Sequence, residues 1–459
     1  MLNRPFFRSR RYLIFGLILL ILLISGFVAY QISDDESTSD GENQSGAGEP
    51  QAQEPEPYWL REPVPYPDVI YQPDFAPEAI DLNDEHTFSS LTYGIHTSFW
   101  WESDYRNLGL DHVNIMQFTH IRQKFAWRDI EPEKHDLPVD HPGRYVWEHA
   151  DAMMADIQAK DVEVVIRLGT PPDWAVLSDE TYTYGQIPFD MKRLTDYCYA
   201  IANRYQGQVA AYQVWNEPNL DREWGYHSPD PAAYVDLLAG CSEAIHRADP
   251  GVTIISAGLS PTDTRTPNVM PHIEFLLNMY EAGASRYFDV LGVHAPGYFS
   301  HPATDPASLD RRWWTFRHVE DIRAIMVELG DAHKQIAITE MGWTTDQRPA
   351  EESIYSWFGI TPEQQGKYLA DAYRYAAEHW RPWVGLMVTI YYPNPAWTEE
   401  DEEYWWAIGT TLPLPWGFEG RPAWPRLVQM EKISTNPDYA HPPRSPYFKP
   451  IVKASYPIP

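Results

Sequence analysis

Eight short runs of β-branched, aromatic and other apolar residues recur along the chain at intervals of about 25 to 50 residues, with amphipathic stretches of helical period between them. The runs are Leu91 to Thr97, Thr119 to Phe125, Val162 to Leu168, Ala210 to Trp215, Val252 to Ala257, Phe288 to Val293, Gln335 to Thr339 and Val384 to Ile390. The helical stretches include Trp147 to Lys160, Phe189 to Gln206, Pro231 to Ala248, Arg317 to Gly330 and Glu363 to His379. Strand and helix in strict alternation give parallel strands, because each crossover helix returns the chain to the same edge. Eight such units predict a closed (β/α)8 TIM barrel over residues 91–435, and in that fold chemistry lies at the carboxyl ends of the strands.

Outside the barrel the composition changes. Arg4, Arg8, Arg10 and Arg11 form a basic flank (1–11) before an uncharged apolar run (12–32). About 20 apolar residues suffice to cross a bilayer, and the positive side stays cytoplasmic. The expectation is a transmembrane signal anchor with the rest of the chain extracytoplasmic; a secreted form released by cleavage is the alternative. Residues 33–57 are acidic and almost without apolar side chains, which predicts a disordered linker. A Pro- and aromatic-rich segment (58–90) is expected to wrap the barrel, and 436–459 is a Pro-rich tail.

Thirty-five Lys and Arg against 65 Asp and Glu leave a net charge of −30, which excludes nucleic acid as a partner and favours a neutral one. The two cysteines, Cys198 and Cys241, both fall in helical patterns and are read as buried thiols rather than a disulfide. No clustered Cys and His, zinc-protease helix or phosphate-binding glycine loop is present, so no metal or cofactor is expected. An acidic run, Glu399 to Glu403, follows the eighth strand and reads as a solvated loop face before it reads as a calcium site. Oligomeric state is not readable.

Two carboxylates stand at strand ends. Glu217 lies in Val214-Trp215-Asn216-Glu217-Pro218-Asn219 after the fourth run, and Glu340 lies in Ile338-Thr339-Glu340-Met341-Gly342-Trp343 after the seventh. In a barrel both face one mouth, which is the arrangement glycosidic cleavage requires: one carboxyl protonates the leaving oxygen and the other meets the anomeric carbon. Arg122, inside the second run, needs an anionic partner if it is buried. Asn216 suits a hydrogen bond to a sugar 2-hydroxyl.

These strings, together with Arg122, Phe125, Trp127 and Asp129-Ile130-Glu131-Pro132, Thr170-Pro171-Pro172-Asp173-Trp174-Ala175, and Gly292-Val293-His294, resemble glycoside hydrolase clan A, notably family 39 β-xylosidases and family 5 cellulases. The likeness spans roughly Leu91 to Met430. It implies a retaining hydrolase of β-linked neutral polysaccharides or oligosaccharides, with Glu217 as acid/base, protonated at rest, and Glu340 as ionised nucleophile. It further implies that His294 holds the sugar or orients Glu340, and that Tyr298 is a candidate phenol beside the nucleophile, although Ala295-Pro296-Gly297 departs from the usual pattern. Trp100, Trp101, Trp174, Trp224, Tyr391, Tyr392 and Trp397 follow strand ends, and about half are expected to floor sugar subsites; Trp174, Tyr391 and Trp397 are the chosen binding candidates. A catalytically silent carbohydrate-binding or scaffold barrel and a transglycosylase are the alternatives.

Overall fold

The computed structural model describes residues 56–71, 88–100 and 103–433. The expected flank, membrane span, C-terminal tail and all but the end of the linker lie outside these residues, as does Trp101. Among the described residues no helix is long and apolar enough to cross a membrane.

Eight parallel strands close into a barrel in sequence order: β1 Thr92–Thr97, β2 His120–Ala126, β3 Glu163–Gly169, β4 Ala211–Val214, β5 Thr253–Ile255, β6 Val290–Pro296, β7 Gln335–Gly342 and β8 Val384–Thr389. The ring is sealed by β1 on β8, with Thr92 opposite Leu386 and Ile95 opposite Thr389. Helices Ser103–Ile115, Glu148–Ala159, Met191–Arg204, Pro231–Ala248, His272–Glu281, Val319–Glu328, Pro362–His379 and Ala423–Gln429 follow the strands in turn. Their starts are encoded locally: Asp190 and Asp230 accept from the third backbone N–H of their helices, and Thr361 with Gln364 forms a reciprocal capping box before Pro362. The sequence expectation of a (β/α)8 barrel thus matches the architecture, with strand ends displaced by a few residues.

Side chains of Val165, Ala211, Ile255, Val290, Ala337, Leu386 and Val388 fill the interior, and Phe88 joins this cluster. The Phe88 backbone is tied to Gln335 at the start of β7 through its N–H and its carbonyl (2.7 and 3.0 Å). The interior is therefore packed, and only its carboxyl end is available for polar groups. Tyr58 and Ile70, from the segment before the barrel, are buried against it.

Cys198 and Cys241 are joined in a disulfide, with Cα atoms 5.4 Å apart, which corrects the reading of two free thiols. The helices that follow β3 and β4 are neighbours in the outer ring, and each presents its cysteine to the other. Helical period locates a cysteine on the inner face but does not say that its counterpart one helix away is turned toward it.

Candidate active site

Strand periodicity places Arg122 in the barrel. On β2, His120, Arg122 and Lys124 point the same way; Arg122 pairs in register with Val165 of the interior layer. Fully buried, its guanidinium makes four hydrogen bonds: Nε to Gln213 Oε1 (2.6 Å), Nη1 to His96 Nδ1 (2.7 Å) and to Glu340 Oε1 (2.7 Å), and Nη2 to Asn216 Oδ1 (2.9 Å). A guanidinium only donates, so His96 Nδ1 must accept and the ring is neutral with its proton on Nε2. Burial and the charge of Arg122 likewise hold the His96 imidazole well below its ordinary pKa. Asn216, accepting through oxygen, turns its amide nitrogen to the mouth, where one N–H reaches Glu223 Oε1 at 3.5 Å and the other is left for a ligand.

Simple alternation would turn Glu340 outward, since Gln335 and Ala337 face inward and Glu340 is of the opposite parity. A β-bulge corrects this. On β7, Ile338 to Glu340 spans two steps against the single step Val293 to His294 on β6, and Ile338 to Met341 spans three against Met387 to Thr389 on β8. The extra residue re-aims Glu340 into the barrel mouth, which is the usual service of a bulge beside a site. Glu217 is aimed differently: the chain leaves β4 with Trp215 at φ 74° and Glu217 at φ 41°, both left-handed and both costly for side chains of this size. The strain is held by neighbours. Trp215 Nε1 donates to the Glu223 carbonyl (2.8 Å), its ring packs on Phe189 and Trp224, and the Glu217 N–H donates to the Gly258 carbonyl (3.0 Å).

The two carboxylates meet around His294. Its Nδ1 lies 3.0 Å from Glu217 Oε1 and its Nε2 3.7 Å from Glu340 Oε1, and one oxygen of each carboxylate lies within 4.8 Å of the other. Gly258 makes room for this ring: a Cβ there would stand 2.2 Å from His294 Cδ2. The trio has metal-binding spacing, but Arg122 already sets a fixed positive charge against the same Glu340 oxygen, so a further cation there would be repelled.

The charge states differ. Burial pushes the Glu340 carboxyl up, yet the charges of His294 and Arg122 more than offset this and hold it well below the usual carboxylate range. For Glu217, burial also raises the carboxyl, and the His294 hydrogen bond with the charges of His294 and Arg222 outweighs it, while Glu340 pulls the other way. The result is a lowered Glu217, whereas sequence reasoning weighed only the neighbouring anion and expected a proton there at rest. The missing partners were Arg222, whose Nη2 lies 3.2 Å from Glu217 Oε2, and His294 on the other oxygen. Behind Arg222, Tyr355 links it to Glu402, whose carboxyl burial pushes up to about 7. Glu402 belongs to the acidic run, and it turns inward while Glu399 and Glu400 stay exposed.

The other candidates separate by burial. Trp100, Trp224 and Tyr392 are core residues, whereas Trp174, Tyr391 and Trp397 keep part of their rings accessible. Tyr391 sits edge-on to His96 (4.9 Å), and its phenol, raised first by burial, is raised next by the charge of Glu340. Trp397 stands edge-on to Tyr391 (5.5 Å) and lines a cleft with Pro393, Asn394 and Tyr404. Trp174 packs on Trp127 and donates to the Pro132 carbonyl (3.2 Å). Tyr298 gives its hydroxyl to the Pro261 carbonyl (3.1 Å) and packs with Phe358, Ile390 and Trp406; its phenol feels the charge of Glu217, whereas that of Tyr391 feels Glu340. Sequence reasoning did not single out His96, Gln213, Arg222, Glu223 or Gly258. Parity on β1 and β4 would have found the first two; the others sit in loops without a periodic signal.

No family model matches the chain, and no curated protein matches it. Solved structures do. A monomeric β-xylosidase from Caulobacter crescentus CB15 aligns with TM-score 0.50 and 19% identity over 74% of this chain and 67% of that one. The GH39 enzyme from Xanthomonas axonopodis pv. citri gives TM-score 0.50 and 17% identity over 75% and 69%. A family 39 glycoside hydrolase from the gut symbiont Bacteroides cellulosilyticus WH2 gives 0.49 and 18% over 75% and 63%, so the chain spans roughly two thirds of the length of these structures. What the chain shares with them is the barrel, and its resemblance to clan A in sequence motifs is met by a likeness in fold.

Proposed function

We propose that the chain is a glycoside hydrolase that cleaves β-linked glycans with retention, Glu340 acting as nucleophile and Glu217 as acid and then base. The observation that carries this reading is the approach of the two carboxylates to within 4.8 Å at one barrel mouth. That is a gap between single oxygens; retaining enzymes need about 5 to 5.5 Å between the carboxyl groups as wholes and inverting ones about 6.5 to 9.5 Å, so the close approach supports retention and the configuration of the first-formed anomer decides it. Arg122 keeps Glu340 ionised for attack, and Asn216, fixed by the same guanidinium, offers an N–H donor to the 2-hydroxyl of the sugar. Glu217 and His294, 3.0 Å apart, are suited to share one proton. A substrate that draws Arg222 away from Glu217 raises the carboxyl, moving that proton onto it for delivery to the leaving oxygen.

The β-xylosidase likeness makes β-xylosides the first substrates to try. Hydrolysis of aryl glycosides and of xylan, glucan, mannan, galactan and arabinan, followed by NMR of the first-formed anomer, tests the reading. Release of the retained anomer is the expected result; sugar binding with no new reducing ends would leave the silent-barrel alternative. For location we propose an extracytoplasmic domain behind the 12–32 span, a reading supported by the Cys198–Cys241 disulfide, which persists in oxidising compartments.

A further inference from the structure

Two cations at the mouth have no task in the chemistry above. Lys124 lies two residues beyond Arg122 on the same face of β2, and its register partner on β3 is Arg167, itself two residues beyond the interior Val165. Both side chains therefore rise into the mouth, one layer above the Arg122 hub. Arg167 is nearly buried, its side chain 11% exposed, and its Nε is enclosed without an acceptor. The nearest carboxylate, Glu223, stands with Oε2 3.8 Å from Arg167 Nη2, beyond hydrogen-bond range. The Lys124 carbonyl accepts from Gln123 Nε2, but among the described residues its ammonium makes no hydrogen bond or ion pair. Glu223 is further engaged through Oε1 with the Asn216 amide at 3.5 Å.

A desolvated guanidinium lacking a close partner is expensive to keep, and the carboxylates that act on this corner, Glu223 and Asp129, are outnumbered by Lys124, Arg167 and Arg128. Burial first, then the charges of Arg167 and Arg128, push the Lys124 ammonium down to about 8, as expected where cations crowd without enough anions. The position is specific too: Asn216 connects this corner, through Glu223, to the atom set that would hold the sugar.

We propose that Lys124 and Arg167 form a subsite for the carboxylate of an acidic sugar, so that the substrate is a glycan carrying a uronosyl unit at or beside the cleaved residue. The Arg fork takes a carboxylate side-on, and Lys supplies a point charge beside it. The chain's net charge of −30 repels extended polyanions at long range, but ionic screening acts over about 8 Å and leaves a single carboxylate inside the cavity to its immediate neighbours. On this reading the substrate departs from the wholly neutral glycan expected from the net charge. This inference rests on the hydrolase reading for the identity of its ligand.

The test uses the full-length protein and matched oligosaccharides that differ by one uronosyl unit. The acidic member is expected to have a kcat/KM at least tenfold higher, with the preference shrinking as salt rises. Lys124→Met and Arg167→Met should each reduce the acidic-to-neutral ratio tenfold or more, and Lys124→Arg should restore it. If Arg167→Met fails to fold, Lys124→Met and the salt dependence decide. Equal rates on both oligosaccharides, or a ratio untouched by Lys124→Met, would overturn the subsite, as would a preference for a sulfated glycan over the uronosyl one. Calorimetric titration of the same pair separates the two readings. Selective binding of the acidic oligosaccharide without turnover removes the hydrolase and keeps the site, whereas hydrolysis without acidic preference does the reverse.

Discussion

Glu340 and Glu217 are equally exposed, each with 13% of its side chain accessible, yet their surroundings are built from opposite materials. Glu340 faces Arg122, a fully buried cation on a barrel strand whose four hydrogen bonds reach side chains from β1 and β7, from β4 and from the turn just after it. Glu217 faces Arg222, on the short 3-10 turn Asp221–Glu223 with its side chain 54% exposed, together with His294. On the proposed mechanism, the group that stays charged is thus paired with a fixed partner, and the one that gains and loses a proton with an exposed partner that substrate can displace.

The largest test removes the carboxyls themselves. Glu340→Gln should abolish turnover, and Glu217→Gln should cost about 10²- to 10⁴-fold on substrates with poor leaving groups, less with activated aryl glycosides that need no acid. Equal losses on both leaving groups would break the assignment of roles. Next comes the fixed side of the comparison. Arg122→Met strands Glu340 and several polar partners, and stability measured in denaturant should fall by about 3 to 5 kcal/mol. Because the folded pKa of Glu340 is depressed, the pair's contribution is complete above the ordinary carboxylate value of about 4.3 and is lost as pH falls toward the depressed one. The gap between wild type and variant should therefore narrow on acidification; a pH-independent gap would mean that packing, not charge, is what Arg122 supplies.

Gly258→Ala pushes on the His294 ring without touching either carboxylate. Displacing a buried ring that touches both should lower kcat by up to about 10²-fold, and the overpacking should cost about 1 to 3 kcal/mol of stability. The smallest effect belongs to the displaceable side. Arg222→Gln removes a cation that favours ionised Glu217, so its pKa rises and the basic limb of the kcat/KM profile moves to higher pH, by less than about one unit given the exposure of Arg222. A shift to lower pH would reverse the proposed role of Arg222.

Much of this was legible in the sequence, for definable reasons. Buried parallel strands are continuous apolar runs, so β1 to β8 announced themselves, and the helix starts at Pro231 and Pro362 carry their caps in the text. Glu217, Asn216 and Glu340 were found because strand ends are where a barrel keeps its chemistry. The bulge at Thr339 was not legible, since an inserted residue leaves no mark in an eight-residue strand, although without it Glu340 would face outward. Nor was the ionisation of Glu217, which depends on Arg222 in a loop and His294 two strands away. The disulfide escaped for a similar reason: pairing is a relation between two helical phases, and a single chain of letters gives each phase alone.

That disulfide has a reach beyond its two helices. The segment it closes, from Cys198 to Cys241 at a sequence separation of 43, contains β4 with Asn216 and Glu217, and also Arg222 and Glu223, but not Glu340 or Arg122. Closing a loop of that length stabilises a fold by about 4 kcal/mol in the chain-entropy description. In that description the clasp acts on the unfolded chain, so a bond located on the Glu217 side stabilises the whole barrel, the Glu340 side included. Thiol chemistry in the surrounding compartment would therefore loosen the fold that holds both carboxylates, although it touches only the segment that carries Glu217.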